Sequence, residues 1–242
     1  MNNTASTDSQ SAGALWLALR VLDEPAKVFQ SLASKPRALI PIVLLVLASV
    51  VVAFATPERV LKNQVREQLE AFRGGGGLTD EQFQERLDAA ASPGSRVSIL
   101  GFGSVGGVVG LVIVAAVLML IFGATSGSPV RFKDEFAIVA HANVASIAGA
   151  VLVVALTVFA GFDQLQLSVG FLFDQETQPF LYRFANQITV FGAWNVFLIA
   201  LGNKIKTEAQ GLGTPLAIVG GLWIVTKLLF AALGGLAAGL AG

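Results

Sequence analysis

Five long stretches without charged residues constrain this chain more than any other feature of its sequence. A helix that crosses the roughly 30 Å hydrocarbon layer needs about 20 apolar residues, because each residue rises about 1.5 Å. The stretches lie at residues 38–55, 99–124, 136–162, 184–202 and 215–240, and Lys227 interrupts the last of them. They are continuously apolar and lack the alternation of a membrane β-barrel. The sequence therefore predicts an all-α, polytopic membrane helix bundle with about five transmembrane helices.

The composition agrees with a protein that faces lipid. Hydrophobic residues make up 54% of the 242 residues and charged residues only 13%, whereas about 25% of an ordinary soluble domain is charged. Sixteen basic and sixteen acidic residues cancel, which argues against nucleic acid as a partner. The chain has no cysteine, which excludes disulfides, thiolate metal sites and a cysteine nucleophile. The first apolar stretch lacks a small-residue cleavage site, so we expect a retained membrane anchor.

Basic residues indicate the orientation in the membrane. Arg131 and Lys133 follow the second apolar stretch, and Lys204 and Lys206 follow the fourth. Because cytoplasmic loops carry the excess of lysine and arginine, we expect both loops and the N-terminus in the cytoplasm and the C-terminus outside.

Polar segments precede and follow the first apolar stretch. Residues 1–11 are rich in Asn, Ser and Thr, and we expect them to be disordered. Residues 12–37 have apolar side chains at helical spacing, which predicts a cytoplasmic amphipathic segment that either lies flat on the membrane or packs beneath the bundle. The outer loop, residues 56–96, predicts two short helices joined by a glycine hinge at 74–77, the second opened by a capping box of Thr79 and Gln82.

Two motifs resemble catalytic or cofactor sites but lack the required context. The G-x-G-x-x-G pattern from Gly101 to Gly106 opens a membrane helix, whereas a dinucleotide site needs a preceding strand. We expect the glycines of the second and fifth apolar stretches to mediate helix packing instead. They are Gly103, Gly106, Gly107, Gly110, Gly235 and Gly239. Ser104 and His141 suggest a nucleophile and its base, but their predicted depths differ by more than roughly 10 Å. No catalytic residue, cofactor or metal site is therefore predicted.

A few polar residues in or near the apolar stretches remain candidates for interaction. Lys227 lies near the middle of the fifth stretch, where lysine costs at least about 2.5–3.5 kcal/mol and usually faces the bundle interior or a watery cavity. Structural tolerance and a role in transport both remain open for it. Asn195 is a polar neighbour candidate for Lys227. His141, the only histidine, is interpreted as a hydrogen-bonded residue at the cytoplasmic rim.

The order of these segments resembles the Yip family, the Ypt/Rab-interacting proteins with a Yip-one domain, and most closely its bacterial members. The resemblance lies in Asp23-Glu24-Pro25 before the first apolar stretch, in the amphipathic outer loop and in the charged segment 130–136 that leads into the third stretch. It implies a noncatalytic multispan protein, here of a bacterial inner membrane. Eukaryotic relatives act in membrane traffic, but the chain lacks their longer Asp-Leu-x-Gly-Pro element, so Rab binding is not carried over. Asp23, Glu24 and Pro25 occupy the place of that element.

The function that follows from this resemblance is a membrane-organising or protein-interaction scaffold. Its expected partners are the lipid bilayer and other membrane proteins or a second copy of itself. The alternative is a small transporter or channel that uses Lys227 and the glycine-rich helices.

Overall fold

A computed structural model of the chain describes residues 13, 15–73, 79–127, 129–161, 167–174 and 177–240. The described residues are mostly α-helical. The helices are α1 Pro25–Ser34, α2 Leu39–Ala55, α3 Glu58–Arg73, α4 Asp80–Ala90, α5 Pro93–Gly101, α6 Gly107–Thr125, α7 Phe132–Ala142, α8 Val144–Ala160, α9 Pro179–Asn186, α10 Val190–Lys206 and α11 Gly213–Leu240. A π-helical turn, Phe102–Gly106, joins α5 to α6, and 3-10 turns lie at Arg20–Leu22 and Val169–Leu172. The predicted disorder of residues 1–11 and the hinge at 74–77 fall outside the described residues.

Three helical segments are long and apolar enough to cross a membrane. They are Pro93–Thr125, Phe132–Ala160 and Gly213–Ala232. The apolar α2 and the mixed α10 have 17 residues each, which is at the short end of the range of about 17–25 residues for a span. The all-α membrane fold is therefore confirmed, and the number of five spans stays a prediction.

Large apolar side chains are exposed along these helices. Leu39 is 71% exposed, Leu120 66% and Phe230 64%. In water such surfaces would favour aggregation, whereas in lipid they are solvated by hydrocarbon while the helix satisfies its own backbone. The exposed apolar surface thus agrees with a chain that is embedded in a bilayer.

Several helices begin at residues other than those predicted, and α7 and α10 are the two that carry the site described below. α7 starts at Phe132, before the apolar stretch, and its first turn carries Asp134 and Glu135, where carboxylates interact favourably with the helix dipole. α10 starts at Val190, and residues 184–186 belong to α9. An antiparallel bridge between Ser168 and Thr189 separates α9 from α10. The bridge places Thr189 in an extended pairing, so that residue cannot continue a helix.

The chain divides into two compact units. The first consists of Met1–Leu47, Ser104–Gly149 and Phe191–Leu222, and the second of Ala48–Gly103, Ala150–Val190 and Trp223–Gly242. In the first unit, α7 packs along α6 and against α1. The side of α1 that carries Val28, Phe29 and Leu32 is buried. This unit contains most of the buried polar residues of the described chain, including two carboxylates on α7.

The second unit contains the two amphipathic helices that the outer loop predicts. α3 packs against α4, and Leu69, Phe83 and Leu87 form their shared core. The predicted capping box is confirmed, because the Thr79 side chain accepts from the Gln82 backbone N–H and the Gln82 side chain accepts from the Thr79 backbone N–H. Lys62 Nζ donates to Glu58 at 2.8 Å and to Asp88 at 3.1 Å, and the hydrogen bond to the Glu58 carboxylate raises the pKa of Lys62.

Candidate functional site

A cluster of buried polar side chains joins the first turn of α7 to the last turn of α10 in the first unit. Asp134, which is 2% exposed, accepts from Arg131 Nε at 2.9 Å and from Arg131 Nη2 at 3.1 Å. Lys206 Nζ lies 3.0 Å from Asp134 Oδ2. One carboxylate therefore binds a cation from the N-cap of α7 and a cation from α10. We call Arg131, Asp134, Glu135, Asn203 and Lys206 the polar cluster.

Glu135 makes the second contact between the same two helices. Its side chain is completely buried, and Oε1 accepts from Asn203 Nδ2 at 2.8 Å. Asn203 is also fully buried, and its Nδ2 additionally donates to the Ile199 backbone carbonyl at 3.1 Å. The two neighbouring carboxyl groups therefore have different surroundings, because Asp134 contacts two cations and Glu135 contacts a neutral amide.

A glycine next to the polar cluster lets α1 approach both helices. A Cβ atom on Gly202 would lie 2.5 Å from Ile138 Cγ2 and 3.1 Å from Phe29 Cδ1. Phe29 is 1% exposed and belongs to α1. The cluster is thus adjacent to the point where the N-terminal segment packs on α7 and α10.

The predicted interaction residues Asp23, Glu24 and Pro25 form the start of α1. Glu24 is the N-cap of the helix and Pro25 lies in its first turn. The first turn suits proline because the backbone N–H groups there have no partner within the helix. The Glu24 backbone N–H donates to Asp23 Oδ1 at 3.0 Å, and Lys27 donates to Glu24 Oε1 at 2.8 Å. The hydrogen bond from Lys27 lowers the pKa of Glu24. This segment is therefore ordered by local contacts with Pro25 in its preferred position.

His141 and Asn195 both have partners within the first unit. His141 is 1% exposed, and its Nδ1 lies 2.9 Å from the Ala137 backbone carbonyl one turn earlier in α7. Asn195 Nδ2 donates to Ser146 Oγ at 3.3 Å, and this hydrogen bond joins α10 to the first turn of α8. Asn195 therefore binds Ser146, and Lys227 belongs to the second unit.

Lys227 is half-buried in α11. Its backbone carbonyl accepts from Gln187 Nε2 at 3.3 Å, and Gln187 Nε2 also donates to the Arg183 carbonyl at 3.2 Å. Within the residues that the structure describes, no acidic side chain forms an ion pair with the Lys227 ammonium group.

The structure does not pair Ser104 with His141. Ser104 Oγ is buried and has no hydrogen-bond partner among the described residues. Groups of three or more His, Asp or Glu side chains that could hold a metal ion are likewise not found in the described ranges. The described contacts of the polar cluster are ion pairs and hydrogen bonds that join α7 to α10.

The glycines predicted to pack differ in their surroundings. A Cβ on Gly103 would lie 3.3 Å from Ser49 Oγ, and one on Gly107 would lie 3.1 Å from Leu45 Cδ2, both on α2. Among the described residues, positions 106 and 110 have no such neighbour within 4 Å. For Gly235 and Gly239 the structure describes the helical backbone of α11, and their surroundings lie outside the described part of the chain.

Sequence reasoning missed Asn203, Gly202 and the pairing of Asp134 with Lys206. A signal for the ion pair was present in the sequence. Asp134 and Glu135 lie in the first turn of α7, and Lys204 and Lys206 lie in the last turn of α10. The contact of Glu135 with Asn203 spans 68 positions. Such a contact depends on which faces of two helices meet, and a single sequence does not reveal that.

Comparison with known proteins gives the family and nothing finer. None of the curated proteins and none of the solved structures compared with the chain matches it. The family model described as Yip1 domain matches residues 19–241, which include every helix from α1 to α11. This chain is therefore an integral membrane protein that belongs to the Yip1 domain family.

Proposed function

We propose that this protein is a noncatalytic scaffold that organises the membrane or gathers other membrane proteins. One observation supports this proposal most directly. In the N-terminal helical residues 15–19 and the turn after them, Ala18 and Val21 are 0% exposed, whereas Trp16 is 67% exposed. The segment is thus held by its inner face, and its outer face presents Trp16 between the exposed Leu15 and Leu19. Tryptophan is enriched both at membrane interfaces and among the residues that dominate protein interfaces.

A photo-reactive phenylalanine analogue in place of Trp16 tests this proposal in native membranes. We expect discrete adducts with a membrane protein or with a second copy of the chain, which differently tagged copies would identify. The matched control carries the same analogue in place of Phe102, which is 82% exposed in the apolar segment Pro93–Thr125. We expect this control to react with lipid. Adducts with lipid alone at both positions would contradict a scaffold role for the N-terminal segment.

The finer topology is also a proposal. Five spans would place the N-terminus, Lys133 and Gln210 in the cytoplasm and the helices α3 and α4 on the opposite side of the membrane, in accord with the basic loops. Because the chain has no cysteine, single-cysteine variants need no altered background. In right-side-out vesicles, a membrane-impermeant thiol reagent should label Gln84→Cys and Gln178→Cys but leave Lys133→Cys and Gln210→Cys unlabelled. Labelling of all four variants, or of the second pair alone, would contradict the scheme.

A small transporter or channel is the second candidate, and the half-buried Lys227 is the observation that favours it. Intramembrane lysines that lack a counterion often lie on ion or substrate pathways. Loss of ion flux in proteoliposomes of the Lys227→Leu variant, with cross-linking at position 16 unchanged, would favour transport over the scaffold. Equal or absent flux in both proteins would remove this candidate.

A further inference from the structure

The contact between Glu135 and Asn203 leaves two buried oxygen atoms without a hydrogen-bond partner. Asn203 Nδ2 donates to Glu135 Oε1 at 2.8 Å and to the Ile199 carbonyl at 3.1 Å. Since a carbonyl can only accept, the contact with Ile199 fixes which end of the amide carries nitrogen. In the described part of the chain, Glu135 Oε2 and Asn203 Oδ1 then have no donor, although both residues are 0% exposed.

An ionised Glu135 would be expensive at this position. A buried charge is tolerated when it is paired, and a buried acceptor without a donor costs about 1–3 kcal/mol. The two cations nearest to Glu135 in the polar cluster, Arg131 and Lys206, both bind the neighbouring Asp134. A second carboxylate beside Asp134 would also add like-charge repulsion.

We propose that Glu135 and Asn203 form a proton-binding site in which Glu135 is protonated at Oε2 and donates a hydrogen bond to Asn203 Oδ1. A carboxylic acid and a primary amide are both planar and carry one donor and one acceptor side by side. Together they form two antiparallel hydrogen bonds, of which the structure shows Asn203 Nδ2 to Glu135 Oε1. One proton, taken up from water, gives both unpartnered oxygens a partner and neutralises the buried charge.

The charged and titratable groups around this site are few. On α7 they are Lys133, which is exposed, Asp134, which is bound by two cations, and His141, which bonds to the Ala137 carbonyl. The end of α10 carries Lys204 and Lys206, and α1 carries Lys27, which is exposed and bound to Glu24. α6 and α8 contain no titratable side chain. In the described residues, therefore, no cation contacts Glu135 that would favour its ionised form.

Infrared spectroscopy of the full chain in lipid nanodiscs at neutral pH tests the charge state directly. The wild type should show the carbonyl stretch of a protonated carboxyl group, sensitive to exchange into D₂O. Glu135→Gln should lose this band completely, whereas the matched variant Glu85→Gln, which removes an exposed carboxyl group of α4, should keep it. Absence of the band from the wild type, or its persistence in Glu135→Gln, would overturn the proposal. The wild-type measurement needs no variant to fold.

The pH dependence of the stability of the wild type, compared with that of Glu135→Gln, provides an independent test. Glutamine at position 135 can still accept from Asn203 Nδ2 and donate to Asn203 Oδ1, so Glu135→Gln should stay folded. An exposed Glu releases its proton above about pH 4.3, while the folded Glu135 retains it, so the folded state binds more protons and stability falls as pH rises. As the pH rises above about 4.3, the wild type should lose stability relative to Glu135→Gln. A wild type that gains relative stability over this range would show that Glu135 is folded as a carboxylate.

Discussion

Replacing Asp134 with alanine should lower the free energy of unfolding by about 3 kcal/mol, the lower end of the cost of breaking a buried ion pair. The Asp134 side chain is 2% exposed and binds two cations. Without it, Lys206, whose side chain is only 18% exposed, would keep its charge with no counterion. The measurement is an SDS titration of the protein in mixed micelles, followed by circular dichroism.

An exposed ion pair in the same unit provides the control for the Asp134 variant. Lys27 lies 2.8 Å from Glu24, but the Lys27 side chain is 75% exposed. Exposed pairs contribute at most about 1 kcal/mol, so Lys27→Ala should have a much smaller effect than Asp134→Ala. Equal effects of the two variants would mean that the carboxylate of Asp134 does not hold α7 to α10.

The parts of the fold that the sequence predicted are those that depend on local chemistry. An apolar run must satisfy its own amides in lipid, which predicts helices such as α2 and α6. The capping box depends on Thr79 and Gln82, three positions apart, and the start of α1 depends on Pro25. In each case neighbouring residues determine the structure, so the pattern can be read from one chain.

The candidate site could not be predicted, because it depends on how helices face one another. Asp134 and Glu135 are consecutive acids, and nothing in the sequence distinguishes their roles. The structure does so by placing Lys206 beside one and Asn203 beside the other. The bridge between Ser168 and Thr189 is likewise formed by residues from two distant segments. The bridged Thr189 lies between the end of α9 at Asn186 and the start of α10 at Val190, whereas the apolar pattern continues through residues 184–202.

Close packing at glycine gives the second prediction with a large effect. Gly202→Ala should destabilise the protein by about 1–3 kcal/mol, the usual cost of overpacking a core. The new Cβ would lie 2.5 Å from Ile138 Cγ2, and both Ile138 and Phe29 are buried and unable to move freely. This net loss is expected even though alanine improves helix propensity by up to about 1 kcal/mol. The same SDS titration measures it.

Gly110→Ala is the matched control, since in the part of the chain that the structure describes no neighbouring atom lies within 4 Å of its added Cβ. It also lies inside a helix of the first unit, where the gain in helix propensity should leave it neutral or stabilise it by up to about 1 kcal/mol. The cause of the Gly202 effect can be tested by adding Ile138→Ala, which removes the clashing methyl group. Because the new alanine would fill part of the resulting cavity, the double variant should lose less stability than the sum of the two single variants. Strict additivity would mean that the clash between position 202 and Ile138 is not what destabilises α10.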